Sequence, residues 1–146
     1  MLEFLLKENI QFVDKFDDWQ EAIKICCQPL IEQGYCSKEY PLGIIQNTFD
    51  MGPYYVLCEN FALLHARSDQ GAIKTQLGVV ITKEPLKFKP DGLDVRIFLT
   101  LVASDSEAHM SMLQTVSNIF GDVRKIQEIL DAKNQEEVYN LFVRNS

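Results

Sequence analysis

Basic residues are in short supply. The 14 lysines and arginines stand against 21 aspartates and glutamates, for a net charge of -7. With so little positive charge, no patch is available to neutralise phosphates, which excludes a nucleic-acid binder. It equally excludes adsorption to an anionic membrane surface. An acidic surface suits a basic protein partner instead. The four cysteines form no C-x-x-C pair: Cys26 and Cys27 are adjacent, Cys36 follows, and Cys58 lies in an apolar run, so neither a zinc nor a redox signature is present. No apolar stretch approaches the roughly 20 residues of a membrane helix. The start, MLEFLLKEN, lacks a basic n-region and a cleavage site. These absences lead to the expectation of a cytoplasmic protein with reduced thiols. There is no internal repeat, low-complexity tract or linker, so residues 1–146 are expected to form a single domain.

What the chain does contain is an alternation of helical and strand patterns. Ile10 and Phe12 alternate with polar neighbours, as in a short strand or an extended lead-in. Asp17 and Gln20 are spaced as a helix start, and Trp19, Ala22, Ile23, Cys26, Cys27 and Leu30 follow on one helical face. Pro29 is expected to kink or end that helix near Gln28, and Gly34 closes the segment. A second helix opens near Ser37, tolerates Pro41 in its first turn, and is expected to bury Leu42, Ile45 and Phe49 before Gly52-Pro53 stops it.

Two apolar runs, Tyr54 to Cys58 and Phe61 to Leu64, read as strands around a Glu59-Asn60 break, and Thr75 to Thr82 as another. Lys83-Glu84-Pro85 is expected to turn the chain, with Leu86 and Phe88 on a half-exposed edge strand. Lys89-Pro90-Asp91-Gly92 is a strong turn signal. Val95 to Ala103 is almost continuously apolar, as in a central strand covered on both faces. Ser104 and Glu107 have capping-box spacing ahead of the stripe Met112, Leu113, Val116, Ile119 and Phe120, which Gly121 ends. Val123, Ile126 and Leu130 mark a shorter helix. Asn134 and Glu137 cap a last one that buries Val138, Leu141 and Phe142. The fold expected is α/β: a single mixed sheet of about five strands sandwiched by helices.

The chain has only two histidines, and both fall just beyond strand C-termini. His65 ends the second apolar run, and His109 sits in the first turns of the helix after the central strand. If the two strands share a rim, the imidazoles meet there. A neutral imidazole nitrogen is a nucleophile near pH 7, and the N–P bond it forms is labile enough to pass phosphate on. The second imidazole can donate a hydrogen bond to a phosphoryl oxygen. The planar fork of Arg67 matches phosphate oxygens. The N-terminus of the His109 helix adds unpaired N–H groups. No metal or cofactor is called for. Spacing alone leaves blander readings open: a histidine at a strand end is more often structural, and His109 aligns with Met112, Leu113 and Val116 as a core residue would.

The span GPYYVLCENFALLHARSDQGAIKTQLGVVI, residues 52–81, resembles the signature of the A component (EIIA) of the phosphoenolpyruvate-dependent sugar phosphotransferase system (PTS), fructose–mannitol class, ascorbate branch. That signature reads G-P-Y-x-V-x-x-P-G-x-A-x-P-H-A-R-P. LTLVASDSEAHMSMLQTVSNIF is similar to the family's second signature, an apolar strand followed by A-x-D-x-x-x-H and an amphipathic helix, and DDWQEAIK near the start also fits. Four positions depart from the pattern: Glu59-Asn60 replaces P-G, Leu64 replaces the proline before the histidine, and Ser68 the one after Arg67.

The resemblance runs over nearly the whole chain and implies a stand-alone EIIA phosphotransferase with the mannitol/fructose-type EIIA fold. His65 would take phosphate from the phosphocarrier HPr and pass it to a cysteine of the EIIB component. The membrane EIIC component would then import the sugar, ascorbate or a relative, as it is phosphorylated. His109 would assist beside His65. A homodimer is compatible with this reading, and neither nucleic acid nor metal takes part in it. The Leu64 and Glu59-Asn60 departures motivate an alternative, a regulatory EIIA-like binding module with reduced or no phosphotransfer.

Overall fold

The computed structural model describes residues 4–146, apart from the side chains of Ser106 and Ala108. The elements run β1 (Leu5–Val13), α1 (Trp19–Glu32), α2 (Glu39–Met51), β2 (Val56–Cys58), β3 (Asn60–Leu64), a 3-10 turn (Ser68–Gln70), β4 (Gln76–Lys87), β5 (Asp94–Val102), α3 (Ser106–Phe120), α4 (Val123–Asp131) and α5 (Gln135–Arg144). The strands form one mixed sheet in the order β1-β4-β5-β3-β2. β1 is parallel to β4 and β3 is parallel to β5, while β4–β5 and β2–β3 are antiparallel. The sandwich expected from the sequence is therefore present, with β5 in the middle.

Alternation along the strands sends side chains to two cores. Phe61, Leu63, Leu99 and Leu101 pack against α3, α4 and α5. Ala62, Leu64, Phe98 and Val102 pack against α1 and α2. Full burial of an aliphatic side chain of this kind contributes about 1.5–3 kcal/mol relative to exposure. That is why the fully buried run 97–102 of β5, covered on both faces, holds only one polar residue, Thr100.

Several local expectations are corrected. The cap of α1 is Asp18 rather than Asp17: its carboxylate accepts from Glu21 N–H at 2.8 Å, and Glu21 Oε1 accepts from Asp17 N–H at 3.2 Å. A carboxylate pair one residue later thus displaces the Asp17/Gln20 box. Pro29 does not end α1, which continues to Glu32. Only one turn follows it, Leu30 in that turn is fully buried, and a Schellman closure secures the end. In that closure Tyr35 N–H donates to Leu30 O at 2.9 Å and Gly34, at φ 83, donates to Ile31 O at 3.1 Å.

α2 turns Leu42 and Phe49 outward, at 56% and 66% exposure, and buries Tyr40, Ile44, Ile45, Asn47 and Thr48. Two polar residues face inward because each has a bonding partner there, so hydrophobicity alone misplaces the stripe. Phe49 instead meets Trp19 edge to face at 5.5 Å. Lys83-Glu84-Pro85 is not a turn. β4 runs through it, with a break in register against β5 between Ile81 and Leu86. The proline is tolerated because β1 pairing stops at Thr82, so no partner strand needs the missing N–H. At Leu86, half-buried, β4 therefore has β5 on one side only, so this stretch is the half-exposed edge expected of it, whereas Phe88 is buried just past the strand. Ser104 does not cap α3, which begins at Ser106; its hydroxyl lies 3.1 Å from Thr75 Oγ1 instead. Val123 opens α4 exposed, whereas Ile126 and Ile129 are buried. The last cap holds: Asn134 Oδ1 accepts from Glu137 N–H at 2.9 Å.

Candidate active site

Parallel β3 and β5 end at the same edge of the sheet, with Leu64 opposite Thr100. The chain beyond each strand therefore emerges on one rim. There a cavity of about 610 Å³ is lined by His65, Ala66, Arg67 and Ser68 after β3, by Leu101, Ala103, Asp105 and His109 from the β5–α3 segment, and by Tyr40, Asn47, Met51 and Tyr54. All three residues singled out from the sequence, His65, His109 and Arg67, are brought to this one concavity. Its volume far exceeds that of a phosphoryl group and leaves space for a partner's side chain.

His65 is half-buried, and its Nδ1 lies 2.6 Å from Leu63 O. A carbonyl oxygen can only accept, so Nδ1 carries the proton and Nε2 keeps the lone pair. Burial holds the His65 pKa below its ordinary value. The bond to Leu63 opposes that shift, and the nearby His109 adds to it. Each cause that favours the neutral ring also favours a nucleophile at neutral pH. Tyr54 packs edge to face on the His65 ring, with centroids 5.2 Å apart.

His109 lies in the first turn of α3, where its N–H donates to Asp105 O at 3.2 Å. The dipole of this 15-residue helix points its positive end at the cavity. Arg67 is exposed; its Nε donates to Asp69 Oδ1 at 3.2 Å. An exposed pair of this kind is weak enough, at about 0–1 kcal/mol, to open for an arriving anion.

The sequence reading missed the residues that hold this rim. Tyr54 Oη donates to His65 O. Tyr40 Oη donates to Leu101 O at 2.6 Å and accepts from Ala66 N–H at 3.1 Å. Burial pushes the Tyr40 phenol well above its ordinary pKa, so it stays a hydroxyl able both to give and to accept. Asn47 and Gln70 bond reciprocally through their amides at 2.9 and 3.1 Å, and Gln70 Oε1 also accepts from Arg67 N–H at 2.9 Å. Gly43 admits this contact, since a Cβ there would lie 3.1 Å from Gln70 Cβ. The signal available in the sequence was the spacing Tyr40, Ile44, Asn47, Thr48, an inward stripe with polar members.

Three of the four departures from the family signature sit away from the cavity lining. Glu59 is exposed and Asn60 adopts φ 70 at the opposite end of β3, about 16 Å of strand from His65 at about 3.3 Å per residue. Asparagine is among the few non-glycine residues that accept this conformation, so it stands in for the glycine of the pattern. Leu64 is buried in the core beneath α1 and α2. Ser68 alone lines the cavity. Among the described residues, no group of three or more His, Cys, Asp or Glu is placed to hold a metal ion, and no helix is long and apolar enough to cross a membrane.

Residues 3–145 match the family described as the phosphoenolpyruvate-dependent sugar phosphotransferase system, EIIA 2. The mannitol-specific cryptic phosphotransferase enzyme IIA component of Escherichia coli (strain K12) is 25% identical over 142 residues, covering 97% of both chains; its solution structure superimposes with a TM-score of 0.89. The ascorbate-specific PTS EIIA component of Escherichia coli (strain K12) is 28% identical over 141 residues, covering 95% of this chain and 92% of that one. The fold is also that of the IIA chain in a complex of enzyme IIA and phosphorylated enzyme IIB of the Escherichia coli mannitol system, at 22% identity and a TM-score of 0.80, covering 94% and 95% of the two chains. The chain thus belongs to the EIIA 2 family of the phosphoenolpyruvate-dependent sugar phosphotransferase system, and it is a phosphotransferase component of that system.

Proposed function

We propose that residues 1–146 form a single EIIA domain that carries phosphate in the cytoplasm from HPr to an EIIB component, with His65 as the phosphorylated residue. One observation carries the reading: Nδ1 of His65 is committed to the Leu63 carbonyl, which leaves the lone pair on Nε2 beside a cavity shared with His109. Nε2 attacks the phosphorus of phospho-HPr, the N–P bond to the HPr imidazole breaks, and a new N–P bond forms on His65. An EIIB cysteine thiolate then attacks the same phosphorus, forming an S–P bond and returning the electron pair to Nε2. His109 and Arg67 hold the equatorial oxygens, so catalysis is positioning and electrostatics. The net charge of -7 suits a basic carrier as partner.

Ascorbate is the first sugar to test, because an ascorbate-specific component is among the relatives. A mannitol-specific one is among them too, so the uptake assay includes both sugars. The regulatory-module alternative loses support at the positions that motivate it, since Glu59, Asn60 and Leu64 lie outside the cavity lining.

The test is intact-mass spectrometry after incubation with phosphoenolpyruvate, the first enzyme of the system and HPr. One acid-labile phosphate on the wild type and none on His65→Ala is the expected result. A folded wild type that stays unmodified while HPr is phosphorylated would overturn the carrier reading.

A further inference from the structure

We infer that Tyr40 and Tyr54 form a phenol clamp on the His65–Ala66 peptide, and that this clamp is a positioning device for the nucleophile. The two polar atoms of that one peptide unit are taken by tyrosine hydroxyls from different elements. Its C=O accepts from Tyr54 Oη, and its N–H donates to Tyr40 Oη. Tyr40 reaches up from α2 and donates its own O–H to Leu101 O near the end of β5. Tyr54 comes from the segment between α2 and β2, where Asn47 Nδ2 lies 3.5 Å from its hydroxyl. The clamp thus ties the end of β3 to α2 and β5 through Tyr40 on its N–H side, and to the α2–β2 segment through Tyr54 on its C=O side.

A strand end beyond its last ladder bond is free to swing, and His65 is the first residue past β3. Fixing the plane of its following peptide fixes the backbone from which the ring projects. The ring is then held by its own bond, Nδ1–H to Leu63 O, two residues back, and by the Tyr54 face or edge at 5.2 Å. That bond selects the tautomer with the lone pair on Nε2. Removing a hydroxyl leaves one peptide group unpaired and lets the backbone tilt, so the Nδ1–H bond is made only part of the time. In-line transfer is sensitive to such tilt: a misplacement of about 1 Å costs on the order of 100-fold in rate. Neither tyrosine touches the phosphorus in this scheme; both act through His65.

This inference rests on the carrier reading for its kinetic arm but has a readout independent of it. Tyr54→Phe and Tyr40→Phe are made separately in the full chain, with folding checked by circular dichroism and urea titration. Long-range ¹H–¹⁵N spectra of the His65 ring, which need no partner protein, report its tautomer. The clamp predicts a wild type dominated by the Nδ1–H form and a clear gain of the Nε2–H form in each folded variant. Stopped transfer from phospho-HPr is expected to show kcat lowered about ten- to a hundred-fold with KM within about twofold.

Wild-type tautomer populations in Tyr54→Phe would overturn the clamp, whether or not the protein accepts phosphate. So would a rate loss in the variants that appears in KM alone. Tyr54 is only half-buried, so its variant decides the question if Tyr40→Phe fails to fold. A wild type that shows the Nδ1–H form but takes no phosphate would sink the carrier reading and leave the clamp standing.

Discussion

At its Asn60 end, β3 is entered by a turn made from its own neighbours, with Glu59 exposed and Asn60 at φ 70. At its Leu64 end, the next peptide is held by residues 11 and 26 positions away, and the hydroxyl that holds its N–H reaches a carbonyl 61 positions further on. A five-residue strand therefore has one end determined locally and one end determined by the whole fold. Each end carries two departures from the family signature, Glu59 and Asn60 at the first, Leu64 and Ser68 at the second; Asn60 is tolerated because a positive φ asks only for a residue that can adopt it. The second end keeps histidine and arginine between its two departures, and their backbone is held by Tyr40, Tyr54 and Gln70 from outside β3.

The comparison breaks most completely at His65. His65→Ala is expected to abolish phosphorylation by phospho-HPr, read by intact mass, while the urea midpoint hardly moves. Next in size is Tyr40→Phe, which strands the buried Leu101 O and the part-buried Ala66 N–H; urea unfolding should show a loss of about 1–3 kcal/mol. A smaller effect is expected at the far end. Asn60→Val places a β-branched residue at positive φ and should cost about 1–2 kcal/mol in the same assay, with the phosphorylation rate of the folded protein unchanged. A large drop in rate there would mean that the two ends are coupled.

The smallest effect is the pH dependence of stability. The folded pKa of His65 lies below its ordinary value of about 6.5, so the unfolded chain binds more protons between the two values. Stability should fall as pH drops through that window and level off below it. The contribution should vanish in His65→Gln, as measured by urea midpoints between pH 7.5 and 5. By the same sign, wild-type phosphorylation should persist below pH 6.5 further than an unshifted imidazole would allow.

Much of the fold was legible because its signals are local. VRIFLTLVA reads as a covered strand from its composition, Gly34 and Gly52 stop their helices through positive φ, and Asn134 caps α5 with its own side chain. The histidines were legible as candidates because each follows an apolar run directly. Asn47 and Thr48 were not. Their inward direction reflects partners on other elements, Gln70 for the first and Tyr55 for the second, and no window of the sequence contains α2 together with the 3-10 turn. Pro85 misled for a related reason: a proline breaks a strand only if a partner needs its N–H, and whether β1 extends that far is a question of register.

By itself, the sequence determined the succession of strands and helices, most of their boundaries, the acidic surface, and the placement of His65 and His109 just past strand ends. These follow from periodicity, capping chemistry and charge, each set within a few residues. Only the tertiary structure decided that β3 and β5 lie side by side and parallel, that their ends open onto one cavity, and that two distant phenols meet on the His65–Ala66 peptide. The reason is physical: strand pairing and side-chain satisfaction are settled between groups far apart in the chain, where burial and hydrogen bonding of the assembled sheet outweigh any local preference.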